Sequence, residues 1–270
     1  MSLVINTNNA ATSAVNSFSN TSKQLNQTLA SLSTGSRLTS SAVDAGGLAV
    51  STKLGAAIGR TQATSANVQN SISFLQTQDG ALQQAGAIMN RMSELKIMSD
   101  DFTKNESDRA GYDAEFRELS EQLENIQGQT FNGVNLFSEQ DGELSVSTTE
   151  SGGGAVTVSQ ADFNAAGSRV NTITSASSLS DLNVQDFTNA IEEIALQRAV
   201  NGSQQSRLLF AEDTLYTNLL NLGSANSLIA DTNFATASTA FAQQQFQYQA
   251  NLSIISQANT TQSTVFSLLS

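Results

Sequence analysis

Apolar residues recur along this chain at alternating three- and four-residue steps, the pattern of helices that hide one face. Near the N-terminus the series Ala11, Val15, Phe18, Ser22, Leu25, Leu29 and Leu32 keeps this rhythm, broken only by Ser22. Near the C-terminus Phe234, Ala237, Phe241, Tyr248, Leu252, Ile255, Phe266 and Leu269 fall on a similar seam, with Gln245, Asn259 and Gln262 in the intervening slots. Burying such a stripe is worth about 25 cal/mol per Å² of apolar surface, so each end needs a partner. The two ends have matching patterns, which predicts that the N- and C-terminal helices pair.

Between them, Ile58, Val68, Ile72, Leu75, Leu82, Met89, Met92 and Leu95 predict one long amphipathic helix from about Leu54 to Met98, running through Gly80 and Gly86. Thr103 and Glu106 have capping-box spacing. Tyr112, Phe116, Leu119, Leu123 and Ile126 then carry a second helix, whose outer face is acidic at Glu115, Glu118, Glu121 and Glu124. After Phe131-Asn132-Gly133 the period falls to two. Leu144, Val146 and Thr148 alternate, as do Val156 and Val158, around Gly152-Gly153-Gly154, which predicts a β-hairpin near 142–160. A Ser/Thr-rich connector with turn character runs from Thr172 to Ser180. A third long helix carries Val184, Phe187, Ile191, Ile194, Leu208, Leu215, Leu219 and Leu222, interrupted by polar residues around Asn201-Gly202.

The expected fold class is therefore mostly α: a long antiparallel helical bundle or coiled coil with a small β-hairpin and paired terminal helices. In this reading residues 1–44 and 227–270 form a terminal coiled-coil domain, and residues 45–226 form the helical bundle with the hairpin.

Composition sharpens the picture of the ends. Charged residues make up 13% of the 270-residue chain, about half of the ~25% usual in soluble domains. They are also unevenly placed: all 24 acidic residues lie between Asp44 and Asp231, and only Lys23 of the 12 basic residues lies outside Arg37 to Arg207. The outward positions of an ordinary coiled coil carry Glu and Lys. Here they carry Asn, Gln, Ser and Thr, as in Gln243-Gln244-Gln245 and Asn259-Thr260-Thr261-Gln262. Neutral amides and hydroxyls can be buried with hydrogen bonds far more cheaply than unpaired ions, so these faces suit packing inside an assembly. The lack of proline accords with long unbroken helices.

The net charge of −12 opposes nucleic-acid binding, which depends on Lys and Arg. No apolar run is long enough to span a bilayer. Met1-Ser2-Leu3-Val4-Ile5-Asn6 lacks the basic and apolar regions of a cleavable signal peptide, so secretion would need another apparatus. With no His and no Cys, the usual zinc sites, Ser-His triads and thiol nucleophiles are excluded. Asp100-Asp101 and Glu192-Glu193 are adjacent acids, but neighbours in sequence do not share a helix face and read as solvated surface. No catalytic, cofactor-binding or metal-binding residue is expected.

Four segments resemble bacterial flagellin, in order and over nearly the whole chain. Leu32-Ser33-Thr34-Gly35-Ser36-Arg37-Leu38, with Ser40 and Asp44-Ala45-Gly46-Gly47-Leu48-Ala49-Val50, resembles the family's segment after its first helix. Gln76-Thr77-Gln78-Asp79-Gly80-Ala81-Leu82 is similar to its Q-T-x-E-G-A-L stretch. Gly128-Gln129-Thr130-Phe131-Asn132-Gly133-Val134 resembles its F-N-G motif, and Ser267-Leu268-Leu269-Ser270 its S-L-L-R end. The chain departs from the family at Val43, where an Asp is usual, across Asn226 to Ala230, which lacks charge, and at Ser270 in place of Arg.

The resemblance implies a minimal subunit without added outer domains, secreted and polymerised into an extracellular flagellar filament for motility. It implies that the terminal helices pair and line the central export channel. Val15, Phe18, Leu25, Leu29, Leu32, Phe234, Phe241, Tyr248, Leu252, Ile255, Phe266 and Leu269 would then form the assembly seam. Implied partners are other copies of the chain, a flagellar export chaperone, cap and hook-junction proteins, and the host's flagellin-sensing Toll-like receptor. Arg91, Glu94, Leu95 and Glu115 match positions contacted by that receptor and also used between protofilaments. For Leu95 a place in the core is an equal alternative. A hook-filament junction protein shares the terminal-helix plan, and a monomeric helical-bundle adhesin or receptor ligand stays open as a different class.

Overall fold

Six helices account for most of the chain in the computed structural model, which describes residues 7–137, 144–160, 163 and 167–269. They are α1 (Asn9–Thr34), α2 (Ala45–Ser99), α3 (Glu106–Gln127), α4 (Arg169–Thr174), α5 (Val184–Ala230) and α6 (Phe234–Leu269). Two antiparallel hairpins separate α3 from α4: β1 (Thr130–Phe131) with β2 (Val134–Asn135), and β3 (Leu144–Ser147) with β4 (Ala155–Val158). Met1 to Asn6 and Ser270 lie outside the described residues. The chain divides into two compact units, residues 1–56 with 221–270 and residues 57–220, and the division falls inside α2 and α5.

In the terminal unit α1 packs antiparallel on α6. Asn8 starts α1 by accepting the Ala11 N–H at 2.9 Å, and Gly35, at φ 72°, ends it. That left-handed cap suits glycine because it carries no Cβ. Between the helices the Phe18 and Tyr248 rings lie 4.8 Å apart. The Asn251 amide donates to the Thr21 hydroxyl at 3.1 Å, and the Asn8 amide to the Ala258 carbonyl at 3.2 Å.

Which face turns inward differs in part from the sequence expectation. The covered positions of α1 include Ala11, Ala14, Phe18, Thr21, Ser22, Leu25, Thr28 and Leu32. Those of α6 include Ala237, Phe241, Gln244, Tyr248, Asn251, Ile255, Ala258 and Gln262. Val15 and Leu29 are 49% and 51% exposed, and Phe234 and Leu252 are exposed as well. Ala14 and Asn251 therefore occupy slots expected for Val15 and Leu252, and buried Thr21 joins half-buried Ser22. Positions one residue apart lie ~100° apart around a helix, and small side chains let two helices approach more closely.

In the unit of residues 57–220, the three long apolar helices share one core. Leu75, Leu82, Met89, Met92 and Leu95 of α2 are fully buried, as are Phe116, Leu123 and Ile126 of α3. Phe187, Ile194, Leu208 and Leu215 of α5 complete the layer. The β3–β4 hairpin pairs Leu144 with Val158 and Val146 with Val156, and its two valines on β4 are buried in the same cluster.

The smaller hairpin is formed by the Phe131-Asn132-Gly133 motif itself. Asn132 and Gly133 both have positive φ, 50° and 81°, the backbone of a two-residue turn that favours Asn-Gly. The α3 cap lies two residues beyond the expected one: Asn105 and Asp108 make the capping box, while Thr103 bonds Asp101. The connector expected from Thr172 holds α4 and a 3-10 turn at Leu179–Asp181, pinned by buried Val170, Ile173, Leu179 and Leu182.

The polar interruption of α5 is a buried amide cluster. Asn201 donates to the Leu75 carbonyl at 3.0 Å and to Gln78 Oε1 at 2.7 Å. Gln78 donates in turn to the Leu136 carbonyl at 2.8 Å. Buried amides persist only when hydrogen-bonded, and here two bonds tie α2 to α5 and the third ties it to the segment after β2. Asn201 is thereby buried despite its place in the Asn201-Gly202-Ser203 sequon.

Candidate assembly surface

Within the terminal unit the loops at the ends of α1 and α5 are clasped together. The Arg37 N–H donates to the Ala230 carbonyl at 2.8 Å, and the Thr232 N–H to the Gly35 carbonyl at 2.8 Å. The Arg37 guanidinium reaches the Ile229 carbonyl and pairs with Asp44 at 3.3 Å. Asp44 also caps α2 by accepting the Gly47 N–H at 2.7 Å. A Cβ at Gly47 would overlap an Asp44 carboxylate oxygen, so a side chain there would push the capping carboxylate aside. The Gly47 N–H and the Arg37 guanidinium hold the Asp44 carboxyl below its ordinary pKa. Its capping contribution is thus present at neutral pH and is lost as pH falls through the lowered value. The uncharged run from Asn226 to Ala230 offers its backbone to this clasp in place of side-chain ions.

Beyond the clasp the terminal pair leaves much apolar surface bare. No described side chain of α6 is fully buried, and α1 buries only Ala14 and Thr21. Of the expected seam, Phe18, Leu25, Leu32, Phe241, Tyr248 and Ile255 are partly covered by the pairing. Val15, Leu29, Phe234 and Leu252 face solvent, joined by Phe246 and Ile254, which the seam reading did not include. The side chains of Phe266 and Leu269 lie outside those described. Phe246 and Ile254 were missed because they sit off the pairing stripe, Phe246 on the opposite face and Ile254 on its flank, where a lone helix gives no reason to expect apolar residues.

In the other unit, Arg91, Glu94 and Glu115 form an exposed ionic cluster across α2 and α3. Arg91 Nε lies 2.7 Å from Glu115, and Nη1 lies 3.2 Å from Glu94. Hydrogen bonds that the guanidinium donates to Glu115 and then to Glu94 hold the Arg91 pKa above its ordinary value. Leu95, grouped with them in the sequence, is fully buried in the core, which leaves the three charged residues of the group at the surface. Of the adjacent acids, Asp100 pairs with Lys96, and Glu193 anchors α4 by accepting the Ser168 hydroxyl and the Arg169 N–H.

Paired terminal helices that keep a bare apolar stripe, with Lys23 as their one charge, define a structural protein whose remaining partners are further protein surfaces. The profile of the bacterial flagellin N-terminal helical region matches residues 5–142, and that of the bacterial flagellin C-terminal helical region matches residues 184–269. The chain belongs to the bacterial flagellin family. It is 31% identical to a flagellin of Halalkalibacterium halodurans over 95% of this chain and 97% of that one. It is 28% identical to a flagellar filament 33 kDa core protein of Treponema phagedenis, over 99% of this chain and all of the other. A crystal structure of Bacillus cereus flagellin aligns at 23% identity and a TM-score of 0.49, covering 56% of this chain and 88% of that one.

The protein is accordingly a structural subunit that polymerises into the extracellular flagellar filament. The junction-protein and adhesin readings give way to it. From Phe137 to Ser180 the described residues hold only the β3–β4 hairpin, α4 and part of the 3-10 turn, in keeping with a minimal flagellin. No helix among the described residues is long and apolar enough to cross a membrane.

Proposed function

We propose that polymerisation completes the burial that the monomer leaves unfinished, with α1 and α6 as the filament's inner layer and the helical bundle outside them. The carrying observation is the bare stripe at Val15, Leu29, Phe234 and Leu252 on helices almost free of charge. Neighbouring subunits cover this stripe, and the seam residues Phe18, Leu25, Leu32, Phe241, Tyr248 and Ile255 tighten as they do. Family membership supports a central channel lined by these helices, through which subunits are exported unfolded. An uncharged wall suits that role because it cannot trap a passing chain by ion pairing. The same membership supports an export chaperone, a cap and hook-junction proteins as partners.

Limited proteolysis tests the coupling. The monomer is expected to lose both termini before residues 57–220 are cut, whereas filaments protect all three regions. Termini that resist cleavage in the monomer as well as the bundle does would overturn the coupling of order to assembly.

The ionic cluster favours a second role, as a contact between protofilaments and with the host's flagellin-sensing Toll-like receptor. Arg91 is exposed yet oriented by two carboxylates, which leaves donors available to a partner surface. Exposed ion pairs are worth roughly 0–1 kcal/mol. Arg91→Ala is therefore expected to raise the critical concentration for assembly by a few-fold at most and to weaken receptor signalling. Parental values in both assays would remove both roles.

A further inference from the structure

The loop joining α2 to α3 presents one aromatic ring to water: Phe102 is 92% exposed. The loop is braced from within. Asp101 Oδ1 accepts both the N–H and the hydroxyl of Thr103 at 2.9 Å. The Asp101 carbonyl accepts the Lys104 N–H at 3.1 Å and the Arg109 guanidinium at 3.3 Å. A ring held on a fixed loop loses little freedom when it docks.

Elsewhere in the same unit an open apolar cavity of about 220 Å³ lies beside the two hairpins. Phe74, Phe131, Val134, Leu144, Val146 and Val158 wall it, and its lining carries no charge. An apolar cavity of about 150 Å³ already accommodates a benzene ring, so this one has room for a phenyl side chain. Phe102 cannot fill it within its own chain. Phe74 and Ser99 lie on one continuous helix, and the roughly 25 residues between them span about 38 Å.

We propose that Phe102 of one subunit inserts into the cavity between Phe74 and Val158 of the next copy in the filament. A knob and a socket at different places on one chain make a heterologous contact, which propagates into an open helical array instead of closing a dimer. A polymer subunit needs a contact of this kind, and the inference rests on the filament reading above. The occupant is a second copy because the filament supplies that surface at every subunit, and because a neutral socket takes a ring without stripping water from an ion.

The chain contains no cysteine, so a Phe102→Cys, Asn70→Cys double variant reports the contact cleanly. Oxidised filaments of this variant are expected to give a ladder of linked subunits on a denaturing gel. Each single variant, and the dilute monomer of the double variant, stays unlinked. A measurement without a new bond accompanies it. Phe102→Ala is expected to raise the critical concentration about tenfold and to leave monomer unfolding unchanged. Ser71→Leu, which narrows the socket, raises the critical concentration too and adds little on top of Phe102→Ala.

Filaments of the double variant that give no ladder overturn the contact and leave the filament reading standing. If the cysteine pair blocks assembly, a parental critical concentration for Phe102→Ala overturns it alone. A parent chain that never polymerises overturns both readings together.

Discussion

Leu29→Asp is expected to stop filament growth at concentrations where the parent polymerises readily, while the folding of the monomer's helical bundle stays unchanged. Leu29 is half exposed in the single chain, so a carboxylate there remains hydrated, and the loss in helix propensity is only a few tenths of a kcal/mol. Once a neighbour covers the stripe, the same carboxylate must be buried. No cation in the terminal helices answers it except Lys23, because the last 39 residues carry no charge. An unpaired buried charge costs about 3–5 kcal/mol, which corresponds to a rise of at least ~100-fold in critical concentration. Leu29→Asn should have a much smaller effect, since an amide can be buried with hydrogen bonds. Sedimentation of filaments across a concentration series measures both. A Leu29→Asp protein that polymerises at the parental concentration would show that this stripe is not an interface.

The second large effect is expected inside the bundle. Asn201→Asp preserves shape but replaces the amide that donates to the Leu75 carbonyl and to Gln78. An ionised carboxylate would face two acceptors with nothing to give them. Burial raises the pKa of such an acid in the folded state above its value in the unfolded chain, near 3.9. The sign follows: below the unfolded pKa both states are protonated, and the variant is least impaired. As pH rises through the raised folded pKa, stability is lost, so the deficit is complete at neutral pH at about 3–5 kcal/mol. Urea unfolding at several pH values reads this directly. Asp44 runs the opposite way, with a lowered pKa whose contribution disappears on acidification. A pH-independent deficit in Asn201→Asp would mean that the position is hydrated in the folded protein.

The three helices of the bundle could be read from sequence because their buried residues are large. Met89, Met92 and Leu95, or Phe116, Leu123 and Ile126, leave one plausible inward face. The β3–β4 hairpin was legible from its alternation. The Asn-Gly hairpin had a signal, the Asn132-Gly133 pair itself, but strands of two residues are too short to show a period. The sequence placed the α3 cap at Thr103; Asp101 engages Thr103 instead, and Asn105 with Asp108 makes the capping box. Short α4 sits in a Ser/Thr-rich run with weak helix propensity. It is held by the burial of Val170 and Ile173 against the core, which no local pattern announces.

For the site, the same contrast holds. The uncharged, apolar-striped ends and their pairing were determined by the sequence alone, because periodicity and charge are properties of each helix by itself. Which of two adjacent stripes turns inward was decided only in the tertiary structure. That choice depends on side-chain volumes from both helices at once: small Ala14, Thr21 and Thr28 take covered positions, Thr21 meets Asn251 and Phe18 meets Tyr248, and Val15 and Leu29 are left outside. The residues best placed to hold subunits together are therefore those that the pairing within one chain does not use.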